Sequence, residues 1–200
     1  MDKISECILN KDPSFVPIWF MRQAGRYLPE FREIRKNNQD FIKLCLNKDL
    51  VKEITLQPIK RFNLDAAIIF SDILMIPYGL GQEVKFKKNF GPILGDFTLK
   101  DILGINLDEF IKKNTPVYKA ITEVKKNISH QSLIGFVGAP WTLLVYMVNK
   151  QSPKKDFDLS VIKNNKNECI KLLRKIEEVT CLHIEMQIKA GANIIDVGGE

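Results

Sequence analysis

The stretch Ser132-Leu133-Ile134-Gly135-Phe136-Val137-Gly138-Ala139-Pro140-Trp141-Thr142-Leu143-Leu144-Val145-Tyr146-Met147 decides the fold. It opens on an apolar run of strand length, and Pro140 then begins a second apolar run that reads as the first turns of a helix. A strand passing through a short loop into a helix is the repeating unit of a parallel α/β protein. Outward from this stretch the unit recurs. Further strands are predicted at residues 16–20, 66–70 and 193–197. Helices are predicted over residues 49–62, with Pro58 as an interruption, and from Thr115 as N-cap with Pro116 at the first helical position. A third, long helix carries Leu172, Leu173, Ile176, Val179, His183, Met186 and Ala190 on one stripe and stops at Gly191. Residues 79–92 alternate in a way that suggests a hairpin inserted after the second strand, a rim or lid.

The chemically distinctive residues share one polarity along these units. Arg22 and Arg26 follow the first predicted strand, Asp72 the second, and the segment from Pro140 to Tyr146 the third. In a (β/α)₈ barrel the loops at the C-terminal ends of the strands gather on one face and build the active site from distant sequence. A doubly wound open sheet places ligands by a similar rule, so periodicity alone leaves both folds open.

Composition narrows the class of function. A chain of 200 residues buries a substantial core and is most simply one domain, 1–200. The net charge of +6 is spread among acids, with short doublets at Lys87-Lys88, Lys112-Lys113, Lys125-Lys126 and Lys154-Lys155. That dispersion argues for solvated faces and an anionic small molecule rather than nucleic acid. No apolar run reaches the length of a membrane span and no secretory signal is visible, so a cytoplasmic location is the default expectation. Cys7, Cys45, Cys169 and Cys181 show no metal-binding or disulfide spacing and read as reduced thiols. His183, two positions from Cys181 on the long helix, reads as a core histidine, because positions two apart on a helix face different ways.

Arg22 and Arg26 bracket Gln23-Ala24-Gly25. Guanidinium stays charged at any working pH, and its forked donors match a carboxylate or phosphate. Gly25 permits a backbone turn closed to other residues, so the N–H groups of Gln23 and Ala24 are also candidates to face an anion. The competing reading pairs the two arginines with Glu30 and Glu33 as surface ion pairs. Asp72 has its own alternative as a helix cap after the strand, and Tyr146 as a half-buried aromatic.

The block Pro17-Ile18-Trp19-Phe20-Met21-Arg22-Gln23-Ala24-Gly25-Arg26-Tyr27-Leu28-Pro29-Glu30-Phe31-Arg32 closely resembles the N-terminal signature of uroporphyrinogen decarboxylases. Three further blocks follow in that family's order. They are Ile68-Ile69-Phe70-Ser71-Asp72-Ile73-Leu74, the segment from Gly79-Leu80-Gly81 through Phe90-Gly91-Pro92, and Gly135 through Met147. The resemblance implies a (β/α)₈ barrel that removes the four acetate carboxyl groups of a reduced tetrapyrrole without a metal or organic cofactor. It implies a homodimer. It also implies that Arg22 and Arg26 hold substrate carboxylates, with Gln23, Ala24 and Gly25 completing the cradle and Phe31 packing beneath it. Asp72 would steady the cation formed when a pyrrole is protonated, and Tyr146 would position substrate. Arg22 is by the same resemblance a candidate proton donor, although a guanidinium with a pKa above about 12 is a poor acid at neutral pH.

The resemblance covers residues 17–147 most specifically. A full barrel takes about 250 residues, and only four strands are predicted here, so the expectation is the N-terminal half to two-thirds of the fold. The family's later site serine and histidine find no match. The ending Ile194-Ile195-Asp196-Val197-Gly198-Gly199-Glu200 also departs from the family's pattern. A chain with unpaired parallel strands is expected to be poorly stable and weakly active on its own. Two alternatives stand beside the decarboxylase: a noncatalytic binder of tetrapyrroles or polyanions, and a zinc-dependent methyltransferase of the same superfamily, for which no thiolate and histidine cluster is visible.

Overall fold

A computed structural model describes residues 2–10, 14–87, 90–153 and 159–199. Lys88 and the Lys154-Lys155 doublet therefore lie outside the described residues. In chain order the elements are α1 (Lys3–Asn10), α2 (Pro29–Asn37), α3 (Phe41–Cys45), α4 (Lys48–Phe62), β1 (Ala66–Ile68), α5 (Met75–Gly79), β2 (Val84–Lys87) and β3 (Gly91–Leu94). Then come α6 (Leu99–Gly104), α7 (Leu107–Lys125), β4 (Ser132–Gly138), α8 (Pro140–Asn149), α9 (Ser160–Asn164), α10 (Lys166–Ala190) and β5 (Ile194–Gly198). One sheet has the order β1-β4-β5, and β1 runs parallel to β4 with Ala66, Ala67 and Ile68 opposite Ser132, Leu133 and Ile134. The connections between these strands contain helices, as a parallel α/β fold requires.

The described residues fall into two compact units. The first comprises Met1–Ser71, Pro116–Phe136 and Ile184–Asp196. Two apolar clusters hold it. Ile4, Ala66 and Ile134 pack with Trp19, Ile68 and Ile194, while Leu28, Phe31, Leu44 and Ile54 pack with Ala24, Ile34, Leu50 and Phe70. The α4 helix starts where Asn47 caps it, its side-chain oxygen accepting from the N–H groups of Asp49 and Leu50. It continues through Pro58 and ends at Asn63, which takes the left-handed conformation common at helix ends. The stop expected at Gly191 is realised. Gly191 has φ +117°, outside the range comfortable for residues with a Cβ, and its N–H closes the helix onto Ile188.

Residues 16–20 do not form the expected strand. The N–H of Ile18 donates to the Asp65 carboxylate at 2.8 Å, and the N–H of Asp65 donates to the carbonyl of Ile18 at 2.9 Å. One residue, Asp65, thus holds through its carboxylate and its backbone N–H a segment that has no ladder of its own. The other three strands lie where the apolar runs put them, displaced by one or two residues at their ends.

The second unit comprises Asp72–Thr115, Val137–His183 and Val197–Glu200. The expected hairpin is present as β2 and β3, antiparallel with Val84 opposite Leu94. Buried Gln82 donates to the carbonyls of Gly95 and Met147, at 2.9 and 3.2 Å. Thr115 is not a helix cap. Asn106 caps this helix instead, accepting from the N–H of Glu109 at 2.7 Å, and the Thr115 hydroxyl donates back to the carbonyl of Ile111. His183 is a core residue, 1% exposed and edge-on to Phe110, and burial pushes it down to about 4. Cys181 on the same helix is exposed.

Candidate active site

Within the first unit, Arg22 to Arg26 form a loop tied down at several points. Gln23 is 3% exposed, while Arg22 and Arg26 on either side of it are exposed. The Gln23 carboxamide is committed to β1: Nε2 donates to the carbonyl of Ala66 at 2.7 Å, and Oε1 accepts from the N–H of Ile68 at 3.2 Å. Its backbone carbonyl accepts from the Tyr27 hydroxyl. Ala24 packs on the cluster of Leu28, Phe31, Leu44 and Ile54, which seats Phe31 in the core that the loop rests on. Leu28 N–H then donates to Gly25 at 3.0 Å, turning the chain into α2.

Gly25 differs from expectation. It is not among the glycines with positive φ, and an added Cβ there would meet only the Tyr27 ring at 3.6 Å, an ordinary contact. The turn runs through Arg26 and Tyr27 instead, so the protein as it stands imposes no backbone need for glycine.

The acids proposed as rivals for these arginines are engaged elsewhere. Glu30 makes a forked ion pair with Arg61 of α4, at 2.8 and 2.9 Å from Nη2, and Glu33 pairs with Lys36 at 2.7 Å. Among the described residues neither Arg22 nor Arg26 makes an ion pair, and the N–H groups of Gln23, Ala24 and Gly25 have no acceptor. Two guanidiniums without an ion-pair partner among the described residues, beside backbone donors without an acceptor, have the chemistry to receive a multiply charged anion.

The sequence reading overlooked the neighbours from α2. Arg32 donates to the carbonyl of Arg26 at 2.8 Å, and Arg35 donates to the carbonyl of Asn38 at 2.6 Å while lying 5.4 Å from the Phe41 ring centroid. Burial, and secondarily the charge of Arg26, push Arg35 below its usual value. The available signal was the i, i+3 spacing of Arg32 and Arg35 on a helix that starts at Pro29.

Asp72 and Tyr146 belong to the second unit. Oδ1 of Asp72 accepts from the N–H of Leu74 at 2.9 Å, a tight turn that leads into α5. The capping alternative is not realised: the N-cap of α5 is Leu74, which has no side-chain cap, and the Asp72 bond closes only the turn before it. Asp72 retains some solvent-accessible surface, yet it is deep enough that desolvation pushes it up to about 6, the Leu74 bond opposing the shift. Gly138 brings this turn against α8: a Cβ there would lie 2.9 Å from Ile73 Cβ and 2.8 Å from Leu143 Cδ2. Tyr146 is half-buried on α8, where its hydroxyl accepts from Ser152 at 3.3 Å. Asp72 and Tyr146 do not hydrogen-bond to each other.

Comparison with known proteins decides the family. The family profile described as uroporphyrinogen decarboxylase matches residues 1–198. The chain belongs to the uroporphyrinogen decarboxylase family. Uroporphyrinogen decarboxylase of Rickettsia bellii is 47% identical over 184 residues, 90% of this chain and 54% of that protein. That of Rickettsia felis is 44% identical over 190 residues, covering 94% of this chain and 55% of its own length. The chain thus spans about half the length of the curated relatives it matches. A methyltransferase from Methanosarcina mazei superposes with a TM-score of 0.74 at 14% identity, over 98% of this chain and 57% of its own, a likeness that concerns fold alone. The family and this neighbour identify the parallel α/β arrangement as part of a (β/α)₈ barrel.

Proposed function

We propose that the chain supplies the carboxylate-holding residues and the central acid of a cofactor-free uroporphyrinogen decarboxylase, which converts the four acetate side chains of uroporphyrinogen III to the methyls of coproporphyrinogen III. The observation that carries this reading is the pair Arg22 and Arg26, with Glu30 and Glu33 engaged by other cations. Arg22, Arg26 and the backbone N–H groups of Gln23, Ala24 and Gly25 hold the acidic periphery of the tetrapyrrole. The Gln23 side chain is excluded from that list by its bonds to β1.

Protonation of a pyrrole ring carbon makes the ring a cation. The acetate C–C bond then breaks, CO₂ leaves, and the bonding pair neutralises the ring, leaving an exocyclic methylene. Protonation of that methylene and loss of the ring proton complete the methyl group. Asp72 serves as the counter-charge. With its pKa at about 6 it is mostly ionised at neutral pH. A carboxylate about 4 Å from the forming cation gains roughly 4 kcal/mol at an effective dielectric near 20, close to three decades in rate. Tyr146 is a neutral positioning group, and water or a substrate carboxyl is a better proton source than Arg22.

The same proposal includes a homodimer in the cytoplasm. Among the described residues no helix is long and apolar enough to cross a membrane. The deciding experiment follows uroporphyrinogen turnover and binding in parallel. Asp72→Asn is expected to abolish turnover and leave affinity within about threefold. Parental turnover by Asp72→Asn would exclude the counter-charge role, and binding without turnover by the parent chain would favour the noncatalytic binder.

A further inference from the structure

β1 is bordered differently on its two edges. On one side β4 takes the alternate groups of the ladder: Ser132 N–H donates to Asp65, and Ile69 N–H donates to Ile134. On the other side the groups of Ala66 and Ile68 go to the Gln23 carboxamide, and the N–H of Phe70 goes to the Thr55 hydroxyl at 3.0 Å. In a parallel ladder a residue donates its N–H to the carbonyl preceding its partner and accepts from the N–H following it. Gln23 does the same around Ala67, with side-chain atoms in place of a peptide. Its carboxamide fills the slot of a missing strand residue, and Thr55 closes the edge two residues on.

Arg22 is joined to Gln23 directly, and the Tyr27 hydroxyl bond to the Gln23 carbonyl closes the loop that contains Arg26. We propose that Gln23 is a positioning residue: its carboxamide stands in for a β-strand, pins the Arg22 to Arg26 loop to β1, and so holds both guanidiniums ready for a polycarboxylate. The inference rests on the anion-holding reading above. A loop ordered in advance binds more tightly because the ordering cost does not fall on binding.

The probe is benzenehexacarboxylate, titrated calorimetrically into the whole chain and its variants, with far-UV circular dichroism to establish folding. Gln23→Met keeps the volume and removes both bonds. It is expected to bind roughly tenfold more weakly and to lose protection of the Ile68 amide against hydrogen exchange. Gln23→Glu offers the same donor and acceptor only when its carboxyl is neutral. Its affinity relative to the parent, measured at equal pH, should approach one near pH 4.5 and fall at pH 8. A residue that merely filled space would give a Met variant of parental affinity with the Ile68 amide protected as in the parent, and either result overturns the proposal. If the Met variant does not fold, the Ile68 amide of the Glu variant decides: relative to the parent at equal pH it should be protected near pH 4.5 and exchange faster at pH 8, and parental protection at pH 8 overturns the clamp. The double variant Arg22→Ala/Arg26→Ala separates the two layers of the reading. It should lose affinity while Ile68 stays protected. Parental affinity in the double variant would sink the anion-holding reading, whereas unchanged Ile68 protection in Gln23→Met would sink the clamp alone.

Discussion

Replacing Asp72 by asparagine should stabilise the protein at neutral pH and do nothing for it in acid. The carboxyl is pushed up from 3.8 to about 6 by desolvation, so the folded state holds its proton more tightly than the unfolded chain does. The stabilisation from that proton is complete below 3.8 and is lost as pH rises through about 6. Near pH 7.5 the ionised side chain costs about 3 kcal/mol, from a shift of about two units at about 1.4 kcal/mol each. Asparagine keeps the acceptor for the Leu74 N–H and carries no charge. The variant should therefore gain about 3 kcal/mol at pH 7.5, about 6–12 °C in Tm, and only about 0.5 kcal/mol at pH 4. Urea unfolding of both proteins across that range isolates the effect, because acid losses at Asp2 and Asp65 are common to both. A stability difference that stays flat from pH 4 to 7.5 would refute the desolvated carboxylate, and with it a charge held at a cost for use against a cation.

Two packing tests follow from close backbone approaches. Gly138→Ala places a methyl within 3 Å of Ile73 and Leu143, so about 1–3 kcal/mol of destabilisation is expected in thermal unfolding, and an unchanged Tm would contradict it. Gln187→Leu removes a second carboxamide that serves backbone, accepting from the N–H of Phe136 at 3.0 Å and donating to its carbonyl at 3.1 Å. Leaving both groups unpaired should cost about 2–4 kcal/mol by chemical denaturation, with faster exchange of the Phe136 amide.

The strands at 66–70 and 132–137 were legible because buried parallel strands are continuous apolar runs, the one at 193–197 because it follows the helix stop at Gly191 with Ile194, Ile195 and Val197, and that stop because little else fits φ +117°. Residues 16–20 carried the same apolar signal and failed. Side chains at Asp65 and Gln23 take the hydrogen bonds that a strand pairing would have used, and hydropathy does not register side chains that compete for backbone groups. Thr115-Pro116 has the composition of a helix start, but a threonine bonding back to residue i−4 looks identical in sequence. At the site, Arg22 and Arg26 were visible as cations whose partners were not. Glu30 and Glu33 stood near in sequence, yet Arg61, brought close by α4, takes Glu30. Asp72 suits both a cap and a charged group in sequence; one of its oxygens closes a turn onto the Leu74 N–H, α5 itself starts from Leu74 without a side-chain cap, and desolvation acts on the whole carboxyl.

The most direct test of the account is fluorescence titration of the chain and of Arg22→Ala/Arg26→Ala with uroporphyrin, the stable octacarboxylate. Two charge-assisted contacts on exposed arginines should make the parent bind on the order of thirtyfold more tightly, with an advantage that shrinks as salt is added. Equal affinity of parent and variant at low salt would contradict the claim that these guanidiniums exist to hold the substrate's carboxylates.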